Sequence, residues 1–219
     1  IGTCAFAVGT TSCNNVAIGR NAMGGGVATG DGANVAIGKT VMDALTTGLC
    51  NVAIGTNALG AATTACLNIA IGDLALGAGT LACGCAGQAE GNIAIGESAM
   101  VGGPITGSGN IAIGENTMDA LTSGACNIAM GLHALGAATT GVKNIAIGEL
   151  AMGGSLVTGA SNVAIGTNAA DALTTGADNV AIGRTSLGAA TTGCLNVGIG
   201  FVALGAGVLT GKCNVALGV

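Results

Sequence analysis

Asn162-Val-Ala-Ile-Gly166 and Asn179-Val-Ala-Ile-Gly183 are two copies of one motif that recurs along the whole chain. The copies begin at Asn15, Asn34, Asn51, Asn68, Asn92, Asn110, Asn127, Asn144, Asn162, Asn179, Asn196 and Asn214, with successive gaps of 19, 17, 17, 24, 18, 17, 17, 18, 17, 17 and 18 residues. A short fixed period marks one supersecondary unit stacked on copies of itself. Each unit is too small to bury its own apolar face, so its neighbours complete the core.

Within the motif, β-branched residues alternate with Ala, a period of two that specifies a strand ended by Gly. The full unit reads N-[VI]-A-I-G-x-x-A-[LM]-x-A-[LA]-T-T-G-x-x. Thr-Thr-Gly suggests a second short strand and the Ala-Leu/Met step a third. The expected fold is all-β, a parallel β-solenoid (β-helix or β-roll) of about twelve coils, with strands about 4.8 Å apart. It forms a single domain over residues 1–219, with one irregular, longer coil at 68–91. A second rhythm overlies the first. Gly-Gly coils from Asn15, Asn92 and Asn144 lead to Asp-Ala-Leu-Thr coils from Asn34, Asn110 and Asn162. Those lead to Gly-Ala-Ala-Thr coils from Asn51, Asn127 and Asn179.

Comparing coils sorts the positions. The corner after the motif Gly holds Arg20, Lys39, Asp73, Glu97, Glu115, Glu149 and Arg184, but also Thr56, Leu132, Thr167 and Phe201, so it faces water. The Val/Ile, Ile and Leu/Met positions stay bulky and are expected to fill the core. The Ala between the branched residues, from Ala17 to Ala216 with Gly198 as the exception, then points outward. Its constancy implies a flat surface lying against it.

The composition fits a thin, layered core: 43 Gly, 1 Pro, 50% hydrophobic, 7% charged, and Phe6 and Phe201 as the only aromatics. Gly does not follow the collagen period, and the apolar content is too high for a disordered tract. A net charge of −5 without a basic stripe argues against nucleic acid. The uncharged stretches Ala44–Gly72 and Thr185–Gly211 are broken every few residues by Gly, Asn and Thr, so they do not read as membrane spans.

The unit N-x-A-I-G-x-x-A-L-x-x-x-T-T-G resembles repeats in the stalks of bacterial and phage tail-fibre-like proteins. Its five-residue core resembles the head repeats of trimeric autotransporter adhesins, which form a β-roll. The resemblance runs through Asn34-Val-Ala-Ile-Gly38, Thr46-Thr47-Gly48 and their copies. It implies a structural or adhesive fibre segment.

Candidate residues fall into a few ranks. The motif Asn side chains, stacked coil on coil, form a structural amide ladder. The Thr preceding the turn Gly recurs at Thr29, Thr47, Thr64, Thr106, Thr140, Thr158, Thr175, Thr192 and Thr210, with Ser123 in the same place. It serves either as a turn hydroxyl or as a regular Thr/Ala face of the kind that ice-binding solenoids present. His133 is the only histidine and lies at the variable corner. Asp43, Asp119 and Asp171 recur at one position, but three coils apart. No P-loop or calcium nonapeptide is present. No catalytic residue, metal ligand or cofactor is expected, and the chain does not read as an enzyme.

Nine Cys suit a secreted, oxidising setting better than a metal site. Cys50, Cys66, Cys83 and Cys85 fall near one corner, as do Cys194 and Cys213, so Cys50–Cys66 and Cys194–Cys213 are the expected disulfides. Neither end shows a polar cap, since Ile1-Gly2 and Asn214–Val219 both lie inside motif copies. Open edges invite further pairing. The natural protein is therefore expected to extend further, or its chains to associate end to end or side by side. The functional expectation is a non-enzymatic extracellular fibre segment that self-associates. The alternative is an ice-binding protein using the Thr/Ala ladder.

Overall fold

A computed structural model describes residues 1–7, 13–26, 32–77, 81 and 90–219. It comprises two compact units, Ile1–Asn110 and Ile111–Val219, each an all-β parallel solenoid. The first holds β1 (Val16–Ile18), β2 (Val35–Ile37), β3 (Val52–Ile54), β4 (Ile69–Ile71) and β5 (Ile93–Ile95). The second holds β6 (Ile111–Ile113), β7 (Ile128–Met130), β8 (Ile145–Ile147), β9 (Val163–Ile165), β10 (Val180–Ile182), β11 (Val197–Ile199) and β12 (Val215–Leu217). Within each unit the strands pair in parallel in chain order, with equivalent residues in register, as Val16 beside Val35 and Val163 beside Val180. Residues 78–80 and 82–89 of the expected longer coil lie outside the described residues, so Cys83 and Cys85 do as well, and so does Thr29.

Each coil carries one three-residue strand rather than the three anticipated. Counting the motif Asn as position 1, the backbone turns left-handed at positions 7, 9 and 17, for example Asn168 (φ 55), Ala170 (φ 50) and Asp178 (φ 57). A left-handed residue cannot continue an extended ladder. Those backbone N–H groups bond neighbouring coils instead: Asn168 to Glu149 O (3.0 Å), Ala170 to Ser186 O (2.9 Å) and Asp178 to Ala160 O (3.0 Å). The corner Gly is obligatory for a different reason. Gly166 has φ +130, and a Cβ there would lie 2.7 Å from the carbonyl of Gly183 on the next coil.

The sidedness of the strand is the reverse of the expectation. The central Ala faces inward and is fully buried at every position from Ala36 to Ala181, while the flanking Val and Ile face outward. Alternation requires opposite faces, and the narrowness of the coil decides which one is inside. Across from the Ala rank stands position 8, another small residue, and the two cannot both grow. Gly198 shows this limit: a Cβ there would sit 2.8 Å from Ser186 Oγ and 2.9 Å from Ala203 O. The Leu/Met at position 9 does fill the core as expected, with Met118, Leu135, Met152 and Leu187 almost wholly excluded from water.

The Asn rank shares the inward parity of the Ala and is buried from Asn34 to Asn196. Asn162 Nδ2 donates to Asn144 Oδ1 (3.0 Å) and to Gly176 O (2.9 Å), and Asn162 N donates to the same Asn144 Oδ1 (3.0 Å). Asn179 repeats the pattern on Asn162 Oδ1. Each amide thereby ties its own turn to its neighbour inside a dry core, where an unpaired polar group would be costly.

Candidate functional site

Putting Ala inside places Val and Ile outside, and this creates the main surface feature of the molecule. All fourteen outward strand residues of the second unit, two on each of its seven strands, are Val, Ile, Met or Leu. All ten in the first unit are Val or Ile. The position-4 rank is open to solvent: Met130 is 39% exposed, Ile147 and Ile165 36%, and Ile199 38%. In the second unit this sheet face measures about 30 Å by 10 Å from strand spacing and rise. That is about the size of the largest apolar patch on an ordinary monomer, which is often a functional surface.

Two columns of residues border the face. Past the Gly corner, position 6 of the second unit runs Glu115, Leu132, Glu149, Thr167, Arg184 and Phe201. Hydrogen bonds such as Leu150 N to Leu132 O (2.9 Å) and Thr185 N to Thr167 O (2.9 Å) hold this column in register. Arg184 lies over the Phe201 ring of the next coil, 4.4 Å from its centroid, a cation–π contact that leaves the edge of the guanidinium free to donate. The residue immediately before the motif Asn runs Cys126, Lys143, Ser161, Asp178, Leu195 and Cys213, all exposed.

The two Thr positions separate by role. The first Thr spends its hydroxyl on the next coil: Thr46 on Thr63 O (2.9 Å), Thr122 on Thr139 O (3.0 Å) and Thr174 on Thr191 O (2.9 Å). In the rank before the turn Gly, Thr47, Thr106, Thr140, Thr158, Thr175, Thr192 and Thr210 are exposed. Thr64 is half-buried and donates to Leu81 O (3.1 Å).

The expected disulfides do not close. Cys50, Cys194 and Cys213 are free thiols, whereas Cys66 is buried and disulfide-bonded, but not to Cys50. The pairs are out of register by one residue. Cys66 stacks on Leu49, and Cys194 on Lys212, while Cys50 and Cys213 each stand one place later, immediately before the motif Asn. A slip of one residue turns neighbouring side chains to opposite sides.

His133 is half-buried rather than freely exposed. With Asp119, Gly136, Ala137, Leu150 and Gly153 it lines an open hollow of about 440 Å³. Burial raises the pKa of Asp119 above the ordinary carboxylate value, opposed by a backbone hydrogen bond and by the charge of His133. Each recurrent Asp leans on a glycine of an adjacent coil: Asp43 on Gly25, Asp119 on Gly136 and Asp171 on Gly154. This explains why Asp coils are flanked by coils with Gly at the same height. Among the described residues, no three His, Cys, Asp or Glu converge where they could hold a metal ion. No helix among them is long and apolar enough to cross a membrane.

Comparison with known protein families, curated proteins and solved structures finds no match to this chain.

Proposed function

We propose that this chain is a non-enzymatic structural segment of an extracellular fibre, and that it works by joining further copies through its flat Val/Ile face. The observation that carries this reading is the uninterrupted apolarity of the outward strand positions in both units. Nothing in the folding of a coil requires large apolar residues on its outer side, where Thr or Lys would serve a water-facing strand as well. Their retention on every strand is accounted for if the face is covered. Burial of each such side chain contributes about 1.5–3 kcal/mol at most, so a face of this length can hold two chains together. The likeness of the repeat to fibre and adhesin motifs points the same way. Sedimentation of the purified chain at tens of micromolar, with electron microscopy of the same sample, tests the reading. Oligomers or filaments are expected, and a strict monomer would reject it.

A second reading, ice binding, rests on the exposed Thr rank, where Thr140, Thr158, Thr175 and Thr192 recur on successive coils. It predicts thermal hysteresis that is lost when Thr140, Thr158 and Thr175 are all replaced by Lys, with β-rich circular dichroism unchanged. Hysteresis that survives the triple replacement would reject this rank as the ice-binding surface.

A further inference from the structure

We infer that copies meet face to face with their coil order reversed, second unit on second unit about a two-fold axis along β9, and, as a separate pairing, first unit on first unit about a two-fold axis along β3. This deepens the self-association reading and rests on it. The inference comes from the order of residues along the face and its borders.

An axis parallel to the strands keeps each border of one face over the same border of the other. It also sets the coil before β9 against the coil after it. On one border of the second unit, this brings Glu149 against Arg184 of the second copy, with Thr167 on the axis meeting its own equivalent. On the other border it brings Lys143 against Asp178, with Ser161 on the axis. All four charged residues are exposed, and each meets its opposite sign. Within one copy, the members of each pair lie two coils apart, about 10 Å between backbones, and no ion pair joins them. Glu115, the remaining charge on these borders, meets Val219. On the face itself, position 2 reads Ile111, Ile128, Ile145, Val163, Val180, Val197 and Val215. Reversal about Val163 sets each Ile against a Val, so the summed side-chain volume is the same at every level except the axis, where Val163 meets its own equivalent.

The first unit shows the same arrangement with different residues. Its position-6 column reads Arg20, Lys39, Thr56, Asp73 and Glu97, held in register by bonds such as Asn57 N to Lys39 O (3.0 Å) and Ser98 N to Asp73 O (2.9 Å). Reversal about Thr56, next to β3, matches Arg20 with Glu97 and Lys39 with Asp73. Position 2 there reads Val16, Val35, Val52, Ile69 and Ile93, which again sets Val against Ile about Val52. The alternative axis, along the coil stack, would match Glu149 with Lys143 and Arg184 with Asp178 in the second unit, but in the first it would lay the charged position-6 column on Asn14, Ala33, Cys50, Leu67 and Gly91, where no charge answers it. The apolar face supplies the affinity, and the border charges set the register.

The test uses the full chain carrying Val52→Lys, which disables the face of the first unit so that only the second is read. One variant reverses the coil of β8 (Lys143→Asp with Glu149→Arg), and another reverses the coil of β10 (Asp178→Lys with Arg184→Glu). Each alone places like charges together and should associate about tenfold more weakly or worse. An equimolar mixture restores every opposite pairing and should recover the original Kd, which also shows that both variants fold. In the unreversed chain, carbodiimide coupling of mixed ¹⁴N and ¹⁵N copies should yield a Lys143–Asp178 link between copies. Association that ignores the reversals, or a mixture that fails to recover, or the absence of that link, would overturn the axis while leaving self-association standing. A Val52→Lys chain that remains monomeric while the unaltered chain associates would overturn the pairing assigned to the second unit. A monomeric unaltered chain would overturn the broader reading as well.

Discussion

At the residue scale, the motif Asn carries the most structural consequence. Removing the side chain of Asn162 would strand the Gly176 carbonyl, the Asn179 backbone N–H and one N–H of the Asn179 amide, all of which it now satisfies, while Asn144 Oδ1 keeps the bond from the Asn162 backbone N–H. Unpaired buried groups cost about 1–3 kcal/mol each, so Asn162→Ala should lower stability by at least 3 kcal/mol or so in denaturant unfolding. The Asn ladder was legible from the sequence because only a structural constraint keeps one polar residue at one phase in every coil. The same ladder held a clue to the sidedness of the strand. Asn and Ala share parity, and a dry amide ladder must lie inside, so the Ala rank lies inside with it. Treating bulky residues as core residues hid that step. Asp119 offers a second residue-level prediction. Its folded pKa lies above the unfolded value, so its ionisation opposes folding as pH rises through and beyond 3.8. Asp119→Asn should therefore raise the melting temperature slightly at pH 7, by less than about 1 kcal/mol for a partly solvated group. The difference should vanish well below pH 3.8, where both states are protonated.

At the scale of the coil, one strand and three left-handed residues replace the three strands that the pattern suggested. Leu, Met and Thr are not residues that announce a left-handed backbone, so these turns could not be read from residue type. Comparison between coils does support one of them. Immediately before the motif Asn, Gly91 and Gly109 adopt φ +67 and +66, while Ser161 holds nearly the same angle, 59, with a side chain. Ser161 is exposed and its backbone conformation costs a side chain about 1 kcal/mol. Ser161→Gly should therefore be neutral to stabilising, by up to about 1 kcal/mol, in thermal unfolding. Destabilisation well beyond that would show that the left-handed turn is not under strain. The cysteine register was also legible in principle. Counting back from the motif Asn places Cys50 one residue before Asn51, but Cys66 two residues before Asn68. Grouping them by corner rather than by phase concealed the slip.

At the scale of the whole molecule, fold and surface differ in how far the repeat specifies them. A parallel solenoid follows from the period and from the alternation within the motif, because each coil needs its neighbours to bury an apolar side. The functional face follows only once sidedness is known, since the same alternating residues describe either a packed core or an open apolar sheet. With Ala inward, the Val/Ile ranks become an extended surface that water does not favour. The border charges, which look scattered coil by coil, become ordered when read about β3 and β9. The most direct measurement is sedimentation velocity on the full chain, beside variants that place Lys on the face. Because the outward side chains are not packed in the coil, Ile54→Lys with Ile147→Lys, Ile165→Lys and Ile182→Lys should leave the β-rich circular dichroism intact. The account predicts that the unaltered chain sediments as oligomers at tens of micromolar and that this variant sediments as a monomer. Oligomers that persist unchanged in the folded variant would contradict it.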